Sequence, residues 1–431
     1  MGELNTQADH SPLASRKAVG AAVMGNLLEW YDFAIYGYLA TIIAGNFFPR
    51  GDETTALLSA FATFGVGFVV RPLGGIVIGR LGDVRGRKAA LMLTIFMMAF
   101  GTVMIGFIPT YDSIGLWAPG LLVAARLVQG FATGGEWGGS TAFIVEWAPT
   151  AKRGLYGSFQ QSSLAAGLLL GSGIAALFST VLTPDDMESW GWRIPFLLGG
   201  ILAPVGIYMR RNIDETPAFR RSQSQVAQSE VTHTAAPSPL ALAGKAFGFT
   251  VLWTSSYYMM LAYMPTFTQK YVGLTRTEAL WSNTLGLLVL VLVIPFAGAL
   301  SDRIGRKPLL LTCCLGFALL THLLFGTMVA QGSLAVVIGA QVLFALMIAS
   351  FSGPGPAAIS EIFPTRLRTT WMSAGYSLAV AIFGGFAPFI ATWLIARTGS
   401  PLSPTWYVIS AAVISTLVIL RLPETAHKEL A

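Results

Sequence analysis

The chain has 431 residues, of which 54% are hydrophobic and 11% charged, and its mean hydropathy is +0.64. Soluble globular domains carry about 25% charged residues, so this composition excludes one or several water-soluble domains and points to a polytopic membrane protein. The excess of 27 Lys and Arg over 21 Asp and Glu gives a net charge of +6, which in a membrane protein records loop topology rather than a nucleic-acid partner.

Residues 1–17 are polar, and no apolar core precedes a small-residue cleavage site, so they read as a cytoplasmic tail rather than a secretory signal. Crossing a ~30 Å hydrocarbon core takes ~20 mostly apolar residues. Twelve such stretches follow, at about 18–43, 57–80, 89–108, 119–147, 155–181 and 192–210, then at about 243–269, 278–300, 308–329, 334–362, 370–396 and 404–422. Between the two sets, residues 211–242 are rich in Ser, Gln, Thr and Pro and read as a cytoplasmic linker. Residues 423–431 read as a second cytoplasmic tail. The expected architecture is an all-α polytopic protein with two six-helix halves, 18–210 and 243–422. With loops assigned to sides by alternation, 20 Lys and Arg fall on the side of the termini and 5 on the other, which places both termini in the cytoplasm. The adjacent Cys313 and Cys314 lie in an apolar run and supply neither a disulfide framework nor a metal set.

One half repeats the other. Gly79 to Lys88 (GRLGDVRGRK) closes the second span, and Gly298 to Lys307 (GALSDRIGRK) closes the eighth with the same spacing of Gly, Asp, Gly, Arg and Lys. Glu146-Trp-Ala-Pro-Thr and Glu361-Ile-Phe-Pro-Thr end the fourth and tenth spans; Asp214-Glu-Thr and Pro423-Glu-Thr follow the sixth and twelfth. Asp83 and Asp302 stand at helix ends, where they can meet Arg87, Arg306 and the positive N-terminus of a neighbouring helix. Two parallel six-helix repeats around a site at the bilayer midplane are an architecture of secondary transporters.

A charge within a span costs ~2.5–3.5 kcal/mol on insertion scales and usually faces a cavity or a partner. The first, second and fourth spans carry Glu29, Asp32, Arg71, Arg126 and Glu136, whereas spans seven to twelve offer only His322 as an ionisable group, read as structural. Asn26, Glu29, Asp32 and Tyr36 share one face of the first span; Arg126, Gln129, Thr133, Glu136 and Ser140 share one face of the fourth. At ~1.5 Å per residue, Glu29 and Asp32 lie ~16 and ~21 Å from the cytoplasmic end, near the midplane. On the functional reading Asp32 and Glu136, with Glu29 beside them, exchange protons. Arg126 then pairs alternately with a carboxylate and an anionic substrate, because a nearby Arg favours the charged carboxylate and its withdrawal favours protonation. The competing reading is a static ion pair that orients helices, which also applies to Glu29 and Arg71. Uncharged polar groups mark a candidate pocket: Gln160 and Gln161 on span five, Tyr257 and Tyr258 on span seven, Tyr376 on span eleven, with one of each adjacent pair expected to face inwards. The expected substrate-binding residues are Arg126, Arg71, Gln129, Tyr36, Gln160, Tyr257, Tyr258 and Tyr376.

The paired Asp-x-x-Gly-Arg-Lys loops resemble the motif of the major facilitator superfamily. Within it, Gly25-Asn-Leu-Leu-Glu29-Trp-Tyr-Asp32-Phe, Arg71-Pro-Leu-Gly-Gly75, Gly134-Gly-Glu136-Trp, Gly191-Trp-Arg193-Ile-Pro195-Phe and Asp214-Glu-Thr-Pro217 resemble the metabolite:proton symporters, a group with α-ketoglutarate, citrate and proline/betaine carriers. The resemblance implies a monomeric symporter of a bacterial cytoplasmic membrane, driven by the proton gradient and using no bound cofactor. It also implies a buried functional arginine at Arg126, cavity-lining roles for spans five, seven and eleven, and a latch of the outward-facing state by Asp83, Arg87, Asp302 and Arg306, joined by Glu146 and Glu361. Ser158-Phe-Gln160 and Ala381-Ile-Phe-Gly-Gly385 resemble the citrate and α-ketoglutarate members, so a di- or tricarboxylate is the expected substrate. Tyr257-Tyr-Met-Met-Leu-Ala-Tyr-Met-Pro265 is closer to the proline/betaine members, which keeps a zwitterionic osmolyte as the alternative. No HExxH or Ser/His arrangement suggests a membrane enzyme, and the ~30-residue linker is too small for a soluble signalling domain.

Overall fold

The computed structural model describes residues 26–49, 51–85, 87–134, 137, 140–141, 144–145, 148–211, 239–363, 365–426 and 428. Among them there is no strand, and the described residues form twelve helical rods. We number these α1 (26–47, interrupted at Leu39), α2 (Glu53–Val69 and Arg71–Arg85), α3 (Arg87–Phe107), α4 (from Trp117–Ala132), α5 (Arg153–Val181) and α6 (Arg193–Arg211). In the second half come α7 (Pro239–Tyr257, continuing to 272), α8 (Arg276–Ile304), α9 (Arg306–Gln331), α10 (Leu334–Ser352 and Gly355–Glu361), α11 (Thr365–Ala379, continuing to Thr398) and α12 (Pro404–Arg421). Seven helices of the described set are long and apolar enough to cross a membrane by length and composition.

Several rods outrun their apolar stretches by about a turn because their ends are capped by polar residues. Asp52 accepts the Thr54 and Thr55 N–H groups at the start of α2, and Thr275 with Glu278 forms a capping box on α8. Gly273, Gly332 and Gly399 end α7, α9 and α11 at positive φ. Proline sets the irregularities. Pro265 cannot donate to the turn before it and would press on a preceding carbonyl; that turn, Tyr258–Tyr263, widens into a π-helix. The same happens at Val380–Gly385 ahead of Pro388 in α11.

Small residues bring the rods together, as expected where lipid supplies no hydrophobic drive between helices. A Cβ on Gly298 of α8 would stand 2.6 Å from the Gly154 carbonyl oxygen of α5, and one on Gly130 of α4 would stand 1.7 Å from the Gly67 carbonyl oxygen of α2. The α5–α8 seam joins the two halves along its length. Ser162 donates to the Val291 carbonyl, and Ser172 meets Thr284 at 2.8 Å.

Candidate functional site

Of the charged residues expected in α1, α2 and α4, Glu29, Asp32, Arg71 and Arg126 converge inside the bundle. Arg126 is wholly buried. Its guanidinium donates to Gln129 Oε1 at 2.8 Å and to the Phe64 carbonyl at 3.4 Å, and lies 4.7, 4.7 and 5.0 Å from the ring centroids of Phe33, Tyr36 and Phe64. Gln129 in turn donates to Thr102 Oγ1 at 2.8 Å. The Nε of Arg126 has no hydrogen-bond partner, and no described carboxylate lies within ion-pair distance of it. Among the described residues, Asp32 is the carboxylate that feels its charge. Asp32 is buried beside Thr102, and its Oδ1 makes no hydrogen bond. Gly199 of α6 leaves room for that oxygen: an added Cβ would stand 2.5 Å from it.

Arg71 follows a different arrangement. It donates from Nε to Thr133 Oγ1 at 2.8 Å, meets Glu29 Oε1 at 3.5 Å, and lies 4.8 to 5.8 Å from the rings of Phe68, Phe33 and Trp30. Phe33 therefore sits against both guanidiniums, and the aromatic wall offers each cation a face that water would otherwise supply.

Beside Trp30 lies a partly open chamber of about 20 Å³, lined by Trp30 of α1, Gln161 and Leu164 of α5, Trp253, Thr254, Tyr257 and Tyr258 of α7, and Tyr376 of α11. Two expectations are corrected here. Gln161, not Gln160, reaches the chamber; Gln160 accepts the Gln161 side-chain amide at 2.6 Å, and its own Nε2 is buried without a partner. Tyr257 and Tyr258 both line it, because the π-helix that starts at Tyr258 breaks the 3.6-residue register that would have separated them. Tyr36 is also reassigned: its hydroxyl donates to the Ala60 carbonyl at 2.9 Å, and its ring packs on Arg126 away from the chamber. The motifs that leaned towards carboxylate carriers serve packing. Ser158 donates to the Leu155 carbonyl against Gly298, and Gly384 and Gly385 admit Tyr258 and Phe68 at distances an added Cβ would cut to 2.7 and 2.5 Å.

Of the loop groups, Asp302, Arg306 and Glu361 form one cluster. Asp302 accepts the N–H groups of Gly154 and Leu155 at 2.8 and 2.9 Å, capping α5 of the other half, while Arg306 bridges Asp302 at 2.7 Å and Glu361 at 3.3 Å. Glu424, unexpected from its position in a tail, accepts the N–H groups of Arg306 and Lys307 and so caps α9. Its recurrence in the third repeat marker was the available signal. Glu136 and Glu146, and the side chains of Asp83 and Arg87, lie outside the described residues. His322 pairs with Thr405 at 2.9 Å beside the Trp406 ring, away from the site. Trp30, Trp253 and Thr102 were not expected, since nothing in an apolar span distinguishes a chamber-facing tryptophan from a lipid-facing one.

The profile of the sugar (and other) transporter family matches residues 17–237 and 246–431. The chain belongs to this family of the major facilitator superfamily. It is 34% identical over 425 residues to the glycine betaine/proline/ectoine/pipecolic acid transporter of Dickeya dadantii, covering 96% of this chain and 84% of that one. The proline/betaine transporter of Escherichia coli K12 is 33% identical over 96% of this chain and 85% of its own. A putative proline/betaine transporter of Staphylococcus aureus is 36% identical over 96% and 90%. Among solved structures, a D-xylose–proton symporter superposes with a TM-score of 0.77 at 21% identity, over 96% of this chain and all of that one, which bears on the fold alone. This membrane protein is therefore a transporter and not an enzyme, with twelve helices in the major facilitator fold.

Proposed function

We propose that this transporter accumulates a small zwitterionic osmolyte of the proline/betaine kind by proton symport and alternating access. In this reading it is a monomer in a bacterial cytoplasmic membrane with both termini inside, drawing on the proton gradient and no cofactor. The kinship of the full chain with proline/betaine carriers favours this alternative over the di- or tricarboxylate expected from its sequence motifs.

The observation that carries the reading is the state of the buried charges. Arg71 is already matched by Glu29, which leaves Arg126 as the one cation of this group with no described carboxylate at ion-pair distance. A di- or tricarboxylate would need two or more unmatched cations, whereas a zwitterion brings its own and adds no net charge to a site where unpaired charge is expensive. Asp32, with its idle Oδ1 near Arg126, is the group best suited to carry the proton. Protonation there removes a negative charge from the neighbourhood of Arg126, so loading of the proton alters the electrostatics that Gln129 and Thr102 transmit across α1, α3 and α4. Glu29 and Glu136 are secondary candidates for the same path.

The test is uptake into proteoliposomes under an imposed inward proton gradient, with glycine betaine, proline, citrate and α-ketoglutarate. Betaine or proline should accumulate and the carboxylates should not. Asp32→Asn should abolish accumulation while retaining exchange of labelled for unlabelled solute. Full gradient-driven accumulation by Asp32→Asn would remove Asp32 from the proton path, and accumulation of citrate alone would refute the zwitterion.

A further inference from the structure

The chamber is built for one pole of such a solute. Five of its lining residues are aromatic: Trp30, Trp253, Tyr257, Tyr258 and Tyr376. Trp137 of α4 stacks on Tyr376 and meets Trp253 edge-on at 5.9 Å, closing one wall. Within this apolar setting the hydroxyls of Thr254 and Tyr258 are buried and make no hydrogen bond, while that of Tyr257 is directed to Ser352. A buried hydroxyl without a partner is costly, and native structures keep few of them without a reason. Ring faces attract an organic cation without asking it to donate a hydrogen bond. Idle hydroxyl oxygens can accept one from an ammonium N–H.

The second pole has an address at the chamber's edge. Trp30 lines the chamber and also lies 5.8 Å from the Arg71 guanidinium, which faces Glu29 at 3.5 Å. Both charges are felt at Tyr258 and Tyr376. A zwitterion can join such a pair by exchange of partners, its ammonium facing Glu29 and the rings and its carboxylate facing Arg71, with every charge matched.

Resting on the zwitterion reading above, we propose that the chamber is an organic-ammonium subsite: ring faces hold an N-methylated headgroup, the hydroxyls of Thr254 and Tyr258 accept from the two N–H groups of a secondary ammonium, and Arg71 takes the carboxylate. At about 20 Å³ the chamber holds roughly one water molecule, so the subsite requires the chamber to widen when the solute binds. The stack of Trp137 on Tyr376 joins α4 of one half to α11 of the other, and relative motion of the halves parts it.

The experiment uses the full chain in proteoliposomes, with labelled glycine betaine and proline as solutes. The competitor is 3,3-dimethylbutanoate, which has the shape of betaine but carbon in place of the charged nitrogen. The isostere should compete at least about tenfold more weakly than unlabelled betaine, because the ring faces recognise charge as well as shape. Tyr258→Leu, which removes the ring, should raise KM for both solutes. Tyr258→Phe, which removes only the hydroxyl, should raise KM for proline about five- to tenfold more than for betaine, since only proline has N–H groups to donate. Equal competition by the isostere, or equal effects of Tyr258→Phe on the two solutes, overturns the subsite and leaves zwitterion transport standing. Absence of saturable uptake of either solute by the unaltered protein, with uptake of a carboxylate, overturns the functional reading beneath it.

Discussion

Asp32 and Gly199 fit each other as a carboxylate and the space it requires. The Oδ1 atom that lacks a hydrogen bond is the one an added Cβ on Gly199 would approach to 2.5 Å, with Thr102 Cγ2 next at 2.9 Å. Both neighbours are held within the bundle, so the methyl of Gly199→Ala forces Asp32 or Thr102 to move. Overpacking of this kind costs ~1–3 kcal/mol, which lowers stability without abolishing the fold. Gly199→Ala should therefore assemble in the membrane, with a modest drop in thermal midpoint, and lose gradient-driven accumulation at least about tenfold while solute exchange persists. Thr102→Ser in the same background removes the Cγ2 contact and separates the two causes. If the double variant recovers accumulation, the defect came from packing on Thr102 and not from displacement of the Asp32 carboxyl. Arg126 poses a related question at the same scale. Its guanidinium is oriented by Gln129 and three rings, a planar arrangement that a lysine ammonium cannot reproduce. Arg126→Lys should consequently behave like a loss of the arginine in the uptake assay; near-normal uptake would show that charge alone is required there.

At the scale of helices, the loop between α8 and α9 shows why the repeated motif contains the residues it does. The chain leaves α8 and starts α9 with one residue between them, Gly305, at φ +101°, where side chains are strained. That position has a second constraint, because an added Cβ would stand 2.8 Å from Glu424 Oε2. Arg306 then reaches back to Asp302 and across to Glu361, and Asp302 caps α5. Glu424 completes the arrangement. Burial pushes its carboxyl pKa up, but the N–H groups of Ala426, Arg306, Lys307 and Thr425 outweigh burial and hold it below the ordinary glutamate range. The sign follows directly. A carboxylate whose pKa is depressed by folding stabilises the native state above its unfolded pKa of ~4.3, and that contribution disappears as pH falls through the depressed value. Glu424→Gln should thus be less heat-stable than the parent in detergent near pH 7, with the gap closing below about pH 4. A gap of the same size at both pH values would mean that shape and not charge supports the cap.

For the whole molecule, the two-half plan and the buried charges were legible in the sequence because both leave signals that lipid cannot mask: motifs repeated in order at nearly constant separation, and ionisable residues where each is costly. The chamber was only half legible. Tyr257, Tyr258 and Tyr376 stood out as polar, but Trp30 and Trp253 look like any apolar residue of a span, and the π-turn that turns both tyrosines inwards depends on Pro265 acting on its neighbours. The same tertiary level decides how the molecule alternates. The end bearing the loop motifs is closed by Asp302 on α5. The opposite end is closed by Lys270–Glu53 at 2.5 Å and by Arg276–Glu188 at 2.9 Å, and deeper in the bundle, level with Arg71 and Tyr258, Phe68 and Phe386 are seated against Gly385 and Gly65. Alternating access requires one of these closures to yield at a time. Their weights differ greatly. Glu53 is 82% exposed, and exposed pairs contribute ~0–1 kcal/mol. The aromatic–glycine contacts are buried, and a Cβ on Gly385 would stand 2.5 Å from the Phe68 ring. Lys270→Ala should change uptake by less than about threefold, whereas Gly385→Leu, which wedges α11 away from α2, should hold this end apart and stop net transport. The distinction from misfolding can be measured. Ala262 of α7 is buried against Gly37 of α1, one turn from Tyr258 on the side towards Lys270, and Cys313 and Cys314 are buried. A cysteine introduced at Ala262 should react with a membrane-impermeant maleimide faster in the Gly385→Leu background than in the parent, while the protein remains monodisperse. Unchanged labelling together with intact uptake would mean that the seam between α2 and α11 does not govern closure.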